Sequence, residues 1–234
     1  MKKALPWLSL FISLNVFAIT HQEHHKPHKK TKFVTAEKAL RKLIEGNRRF
    51  VTHHMKHPDE TVARRINLAR KGQHPFAIVL SCSDSRLPPE IIFDEGLGDL
   101  FVVRVAGNIA DDAVIASIEY AAEHLGTTLL IVLGHENCGA VHAAIANQHE
   151  GHLGTLVDAI LPAVEKVRHR TPTNQQAAES VHFNELVARA NVEAVIAKLR
   201  ASEPVLSRLV SEKRLVVVGG YYHLGSGKVS LLHP

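Results

Sequence analysis

The chain has 234 residues, of which 45% are hydrophobic, 22% are charged and 5% are aromatic, and its formal net charge is +5. This composition is typical of a soluble globular protein and excludes a disordered chain. Nucleic acid is not expected as a partner, because no basic, aromatic-rich stripe accompanies the positive charge. A core of this size needs no disulfide to be stable, so the two cysteines call for another explanation.

The N-terminus has the pattern of a signal peptide. Lys2 and Lys3 precede an apolar run at 8–17, and Ala18 closes the stretch "VFA". We expect residues 1–18 to be cleaved, which directs the chain to the periplasm or the medium; an uncleaved interfacial anchor is the alternative. No later segment has the roughly 18 consecutive apolar residues of a membrane span, so we expect no membrane partner once the leader is removed.

Residues 19–34 are rich in histidine and lysine and show no apolar periodicity. We interpret them as a flexible, solvated spacer, although such histidines can also bind metal weakly. A single catalytic domain is expected over 35–234. It begins with a helix capped by Thr35 and continues with a helix over 61–71.

Four short apolar runs then alternate with helical stretches. The runs at 76–80, 101–105, 129–133 and 215–218 each fit a strand that is buried on both faces. The predicted helices between them cover 113–125, 140–148, 153–168 and 177–199. This alternation predicts an α/β fold with a mostly parallel central sheet of about four parallel strands, flanked by helices. The tail "GKVSLLH" follows the turn "YYHLGSG" and is expected to add an antiparallel edge strand.

Polar and small residues follow three of these strands. The first strand ends at "SCSDSR", the second at "AGN" and the third at "GHENCGA". In open parallel sheets the ligand lies outside the carboxyl ends of the strands. We therefore expect the chemistry of this protein at that edge of the sheet.

Both cysteines belong to this edge. Cys82 follows the first strand, and His135 and Cys138 follow the third in an H-x-x-C spacing. Two thiolates and an imidazole suit Zn²⁺, and three protein ligands leave a fourth position for water, as in catalytic zinc sites. The alternative is a Cys82–Cys138 disulfide with His135 incidental, and the spacing alone does not exclude it.

Asp84 and Arg86 follow Cys82 at intervals of two residues. If the loop is extended, these three side chains point the same way. Arg86 can then hold Asp84 bidentately and keep it ionised, and the carboxylate can orient a water on the metal. A plain salt bridge within the loop is the alternative.

The motifs together resemble the β-class carbonic anhydrases. The resemblance is carried by "GQHPFAIVLSCSDSR", "GDLFVVRVAGN" and "IEYAAEHLGTTLLIVLGHENCGA", and it extends over about residues 35–232. It implies reversible hydration of carbon dioxide to bicarbonate and a proton, by zinc-bound hydroxide with one Zn²⁺ per chain.

The resemblance also assigns roles to residues. It implies that Cys82, His135 and Cys138 are the zinc ligands and that Asp84 and Arg86 form the catalytic dyad. It further implies the substrate-binding residues Gln73, Phe101, Tyr120 and Gly139.

A homodimer or a dimer of dimers is implied as well, with N-terminal helices that pack on the partner subunit. Gln73 precedes the first strand, so it can reach a zinc ion only in the partner. In this family the aspartate either pairs with its arginine or moves onto the metal. Some members close the site through a pocket that requires a tryptophan, and the only one here is Trp7, in the leader. We therefore expect the open form.

Three other functions are compatible with parts of the pattern. The same fold and metal could act on a linear relative of carbon dioxide such as COS or CS₂. A metal-scavenging protein would use the 19–34 segment and carry a structural zinc. A cysteine phosphatase would need an arginine six residues after Cys82, where the chain has Pro88, which argues against it.

Overall fold

The computed structural model of the chain describes residues 34–170 and 181–232. The predicted signal peptide 1–18, the spacer up to residue 33 and the first residues of the predicted helix 177–199 lie outside the described residues. These three assignments, and the domain bounds drawn from them, stay predictions.

Two helices open the described chain, as predicted. They are α1 (Ala36–Val51) and α2 (Val62–Lys71), and Thr35 and Thr61 cap them by accepting a hydrogen bond from a backbone N–H of the first turn. Helix α1 buries one side, with Leu43 fully enclosed. Helix α2 has no fully buried residue, although Leu68 is partly covered where it packs beside Gly98, and Val62 and Ile66 are exposed.

The sheet has five strands in the order β2-β1-β3-β4-β5, where the first four are parallel and β5 is antiparallel to β4. This confirms the predicted fold class. The strands are β1 (Ala77–Ser81), β2 (Leu100–Arg104), β3 (Leu129–His135), β4 (Val216–Tyr222) and β5 (Val229–Leu232). The assignment of "YY" to the hairpin turn was wrong. Tyr221 and Tyr222 belong to β4, because the last residues of β3 continue the parallel ladder as far as Tyr222.

The other helices are α3 (Pro89–Ile92), α4 (Asp112–Glu119), α5 (Gly139–Ile145), α6 (Leu153–Arg170), α7 (Val181–Arg200) and α8 (Leu206–Ser211). The predicted helix 113–125 is not uniform, since α4 gives way to a π-helical turn at Tyr120–His124. Helices α3 and α8 were not predicted, because four and six residues are too few to show an apolar period.

The core lies on both faces of the sheet. Every residue of β1 and β3 is buried, which explains why both read as continuous apolar runs. Ala77 and Val79 pack into the cluster on one face, and Ile78 and Leu80 into the cluster on the other. Cys82 and Cys138 belong to the first cluster. Among residues 34–170 and 181–232, no helix combines the length and the apolar character needed to cross a membrane.

Candidate metal centre

The carboxyl ends of β1 and β3 bring three metal-ligating side chains together. Cys82 directly follows β1, His135 ends β3, and Cys138 precedes α5. Their ligand atoms all lie within 4.8 Å of one another, and the two sulfur atoms are 4.0 Å apart. All three residues are buried and both cysteines are free. The sheet therefore assembles the predicted triad, and the disulfide alternative is wrong for this structure.

The imidazole of His135 is oriented for metal binding. Its Nδ1 lies 2.8 Å from the carbonyl oxygen of Glu136, which can only accept, so Nδ1 carries the proton. Nε2 then has a free lone pair, and it is buried without a hydrogen-bond partner. A buried, unpartnered nitrogen beside two thiols is costly unless a cation or a proton occupies the space between them. The donor set therefore fits a metal ion.

The two thiols have different proton affinities. The pKa of Cys82 is lowered to about 4, chiefly because the Cys138 thiol donates a hydrogen bond to it, against the opposing effect of burial. The backbone N–H of Gly107, 3.3 Å from the sulfur of Cys82, acts in the same direction. Burial and the neighbouring Cys82 thiolate raise the pKa of Cys138. A divalent cation would stabilise both as thiolates, because it supplies the missing positive charge.

Asp84 and Arg86 meet beside the triad, but not on an extended loop as predicted. The chain turns between them, with the N–H of Leu87 bonded to the carbonyl of Asp84 and the N–H of Arg86 bonded to the carboxylate of Asp84. Arg86 also donates two side-chain hydrogen bonds to the same carboxylate, from Nε at 2.9 Å and from Nη2 at 2.7 Å. A turn, rather than strand alternation, therefore creates the pair.

The Arg86 guanidinium lowers the pKa of Asp84 to about 2, so the carboxylate is ionised at neutral pH. Its Oδ2 lies 3.9 Å from Nε2 of His135. An ionised oxygen at this position can accept a hydrogen bond from a molecule held between it and the metal ligands. In this structure Asp84 stays paired with Arg86, which is the arrangement expected of the open form.

Arg104 holds the same loop from a neighbouring strand, and the sequence did not predict this. It ends β2 and donates from Nε to the carbonyl of Cys82 at 3.1 Å and from Nη2 to the carbonyl of Asp84 at 2.6 Å. These bonds connect the edge strand to the backbone of a metal ligand and of the dyad. A cation at the end of the apolar run "LFVV" was the signal that could have identified it.

The four predicted substrate-binding residues do not all reach the triad within one chain. Gln73 is exposed at the amino end of β1, opposite to Cys82. Phe101 is paired with Ile78, four residues before Cys82, which is about 13 Å along a strand. Its ring lies 6.3 Å from that of Tyr120, which is 49% exposed.

Gly139 is the member of this group that does lie at the site, directly after Cys138. A Cβ atom built on Gly139 would meet no other atom within 4 Å. The backbone there borders open space, so packing within the chain does not explain the glycine.

Fold and site together define a class of protein: an α/β enzyme scaffold with a Cys₂His metal centre at the carboxyl ends of parallel strands, beside an ionised Asp–Arg pair. The family model described as carbonic anhydrase matches residues 77–229. The chain belongs to the β-carbonic anhydrase family, which confirms the resemblance seen in the sequence and the assignment of the chain as a carbonic anhydrase.

Known relatives match over most of their length. Carbonic anhydrase 2 of Mycobacterium tuberculosis is 40% identical over 203 residues, which cover 85% of this chain and 92% of the relative. The carbonic anhydrase of Mycolicibacterium smegmatis is 37% identical with the same coverage. Among solved structures, a tetrameric β-carbonic anhydrase from Sordaria macrospora is 31% identical with a TM-score of 0.64, covering 73% of this chain and 86% of that one.

Proposed function

We propose that the protein catalyses the reversible hydration of carbon dioxide to bicarbonate and a proton, with one Zn²⁺ per chain held by Cys82, His135 and Cys138. The observation that carries this proposal is the buried, unpartnered Nε2 of His135 beside the two free thiols. Two sulfur ligands and one imidazole favour zinc over harder cations. Three protein ligands leave one position open, as in catalytic rather than structural zinc sites.

When bound, Zn²⁺ supplies a water whose pKa is near 7 and which is therefore a nucleophile at neutral pH. The chain's own residues orient that nucleophile. The Asp84 carboxylate accepts its hydrogen bond and so directs its lone pair away from Asp84, toward the substrate. Arg86 keeps the carboxylate ionised and in place through its bidentate contact. Gly139 offers its backbone amide to a substrate oxygen at the open end of the site.

We also propose a homodimer, or a dimer of such dimers, in which Gln73, Phe101 and Tyr120 line the substrate pocket of the partner subunit. Helix α2 has no fully buried residue, and large apolar residues are exposed on α2 (Val62 and Ile66), on α1 (Ile44) and before β2 (Leu97). Large apolar side chains left exposed in this way are typical of surfaces that bind another protein. A second copy that covers this surface would also bring in the three pocket residues that one chain leaves distant from its own triad.

The direct test is stopped-flow measurement of carbon dioxide hydration near pH 8, with a chelator-stripped sample as the control. We expect fast turnover that is lost with the metal and returns when Zn²⁺ is added. A protein that holds zinc and does not hydrate carbon dioxide, at this pH or at higher pH, would refute the proposed reaction. Turnover that is unchanged by complete metal removal would refute the role of the metal.

We further propose that the protein is exported, because residues 1–18 combine a basic start, an apolar stretch and a small residue before the expected cut. N-terminal sequencing of the protein from fractionated cells tests this. A mature chain that begins at Ile19 in the periplasm or the medium is expected. An intact Met1 in the cytoplasmic fraction would contradict export.

A further inference from the structure

The turn after β2, Ala106–Asn108, contacts the metal centre through its backbone. Gly107 donates its N–H to the sulfur of Cys82 at 3.3 Å and adopts a left-handed conformation with φ of 69°. A Cβ atom at this position would lie 2.7 Å from Cδ1 of Ile160, on helix α6. Glycine is therefore required here by both its backbone angle and the closeness of α6.

Glycine is also the residue least able to hold its own backbone angles. The direction of the Gly107 N–H must therefore be set by its surroundings. Asn191, on α7, is only 1% exposed, and its Nδ2 donates to the carbonyl oxygen of Gly107 at 2.9 Å. This bond restrains the peptide plane on the other side of the Gly107 Cα. A helix distant in sequence thus holds the residue that contacts a metal ligand.

We propose that Asn191 is a positioning residue for the metal centre: it holds Gly107 so that the backbone N–H remains bonded to the Cys82 sulfur. This inference rests on the proposed metal site. A hydrogen bond from an N–H group draws negative charge from a thiolate, so the sulfur donates less electron density to a metal. Asn191 would therefore change the electronic properties of the metal site although it is not a ligand. The expected consequence of losing Asn191 is a more electron-rich Cys82 ligand and a less well oriented site.

The experiment uses the cobalt-loaded protein, because Co²⁺ bound to thiolates has a ligand-to-metal charge-transfer absorption that zinc lacks. Leucine branches at the same carbon as asparagine but has two methyl groups in place of the amide oxygen and nitrogen, so Asn191→Leu removes the N–H donor and keeps the branched outline of the side chain. We expect the charge-transfer band to move to longer wavelength, because a more electron-rich sulfur gives up an electron more easily. In chelator competition we expect zinc to be held roughly tenfold less tightly, because the poorer orientation of Cys82 lowers the affinity more than the stronger donation of its sulfur raises it.

Asn47 supplies a matched control. It is also a buried asparagine, and its Nδ2 donates to the carbonyls of Ile92 and Gly227, neither of which belongs to the Cys82–His135–Cys138 triad or to the turn that donates to it. Asn47→Leu should lower the free energy of unfolding as Asn191→Leu does, but leave the band where it is in the unaltered protein. A band that moves equally in both variants would show a general packing effect and overturn the proposal.

An unmoved band in cobalt-loaded Asn191→Leu would also overturn it. If that variant does not fold, Asn191→Ala removes the same donor with a good helix former, and the same shift is expected. Failure of the proposed metal site has a different signature: the unaltered protein would then take up no cobalt and show no thiolate band at all. Failure of the proposed reaction alone would leave the band in place and appear only as absent carbon dioxide hydration.

Discussion

The immediate neighbours of each predicted metal ligand determine its protonation and its bonding. The sulfur atoms of Cys82 and Cys138 lie 4.0 Å apart, about twice the length of an S–S bond, so the two residues are not joined by a disulfide. His135 has its proton placed on Nδ1 by one backbone carbonyl. These local arrangements explain why the two cysteines need not form a disulfide.

The first prediction concerns the ligands themselves. Cys82→Ser should lose its metal and its activity together, because a hydroxyl is a far weaker zinc ligand than a thiolate. Metal analysis and stopped-flow hydration of the same sample measure both. In the unaltered protein the thiols should resist alkylation until a chelator is added. Full activity in the serine variant would remove Cys82 from the metal site.

The second prediction concerns the dyad. Asp84→Asn should keep the metal but slow turnover by roughly 10–100-fold, since the amide is a poorer acceptor and no longer holds Arg86 by charge. Asp158→Asn is the control, because Asp158 is an exposed carboxylate that is paired with His149. Equal rates in the two variants would show that Asp84 does not orient the nucleophile.

At the scale of secondary-structure elements, the buried carboxylate of Asp94 links α1 to the connection between α3 and β2. Asp94 follows α3, and its side chain is fully buried. It accepts hydrogen bonds from the Arg49 side chain, in the last turn of α1, and from the N–H groups of Lys56 and His57. One residue thus joins α1 and the segment after it to the connection between α3 and β2.

The third prediction tests this attachment through its pH dependence. Burial alone would raise the pKa of Asp94, but the Arg49 guanidinium and the two amides outweigh it and lower that pKa. A lowered pKa stabilises the fold above the ordinary aspartate value of about 3.9 and ceases to do so as pH falls below it. Asp94→Asn should therefore cost about 3 kcal/mol of unfolding free energy at pH 7, because Arg49 loses the nearer of its two carboxylate partners and keeps only the longer contact with Glu95 at 3.9 Å.

Urea unfolding of both proteins at a series of pH values measures this difference. The difference in unfolding free energy between the unaltered protein and Asp94→Asn should narrow as pH falls below about 4, because the Asp94 carboxylate of the unfolded chain takes up a proton before that of the folded protein does. If the difference in unfolding free energy stays constant down to the lowest pH measured, the Asp94 contact stabilises the fold through packing and not through charge.

At the scale of the whole molecule, the proposed dimer would complete both the packing and the catalytic site of each chain. Helix α2 has no buried residue, and Ile66 on its surface is exposed. Gln73, Phe101 and Tyr120 lie away from the triad of their own chain. A dimer that covers α2 would account for both observations with a single interface.

The fourth prediction follows from this. Ile66→Glu should weaken self-association, because a charge would be buried in the interface, and it should lower activity at concentrations where the dimer separates. Sedimentation velocity measures the first effect and stopped-flow hydration the second. Val216→Glu is the control, since Val216 is an equally exposed apolar residue at the start of β4. Dimers of equal strength in both variants would place the interface elsewhere.

The sequence by itself determined the strands, the order of elements and the chemical types at the metal site. Apolar runs such as β3 must be buried on both faces, and a cysteine or histidine at the end of such a run must lie at the sheet edge. These conclusions depend only on neighbours along the chain. The same local reasoning failed where a turn competed with an extended chain, as between Asp84 and Arg86.

Only the tertiary structure decided which groups surround the ligands. Arg104 reaches the carbonyls of Cys82 and Asp84, and Asn191 holds Gly107 against the Cys82 sulfur, although these partners lie 20 to 84 residues apart in sequence. Such contacts depend on strand register and on how helices pack over the sheet. No local sequence pattern predicts these contacts, because each one joins two segments that are distant in sequence. The packing of the whole core determines how those segments lie relative to each other.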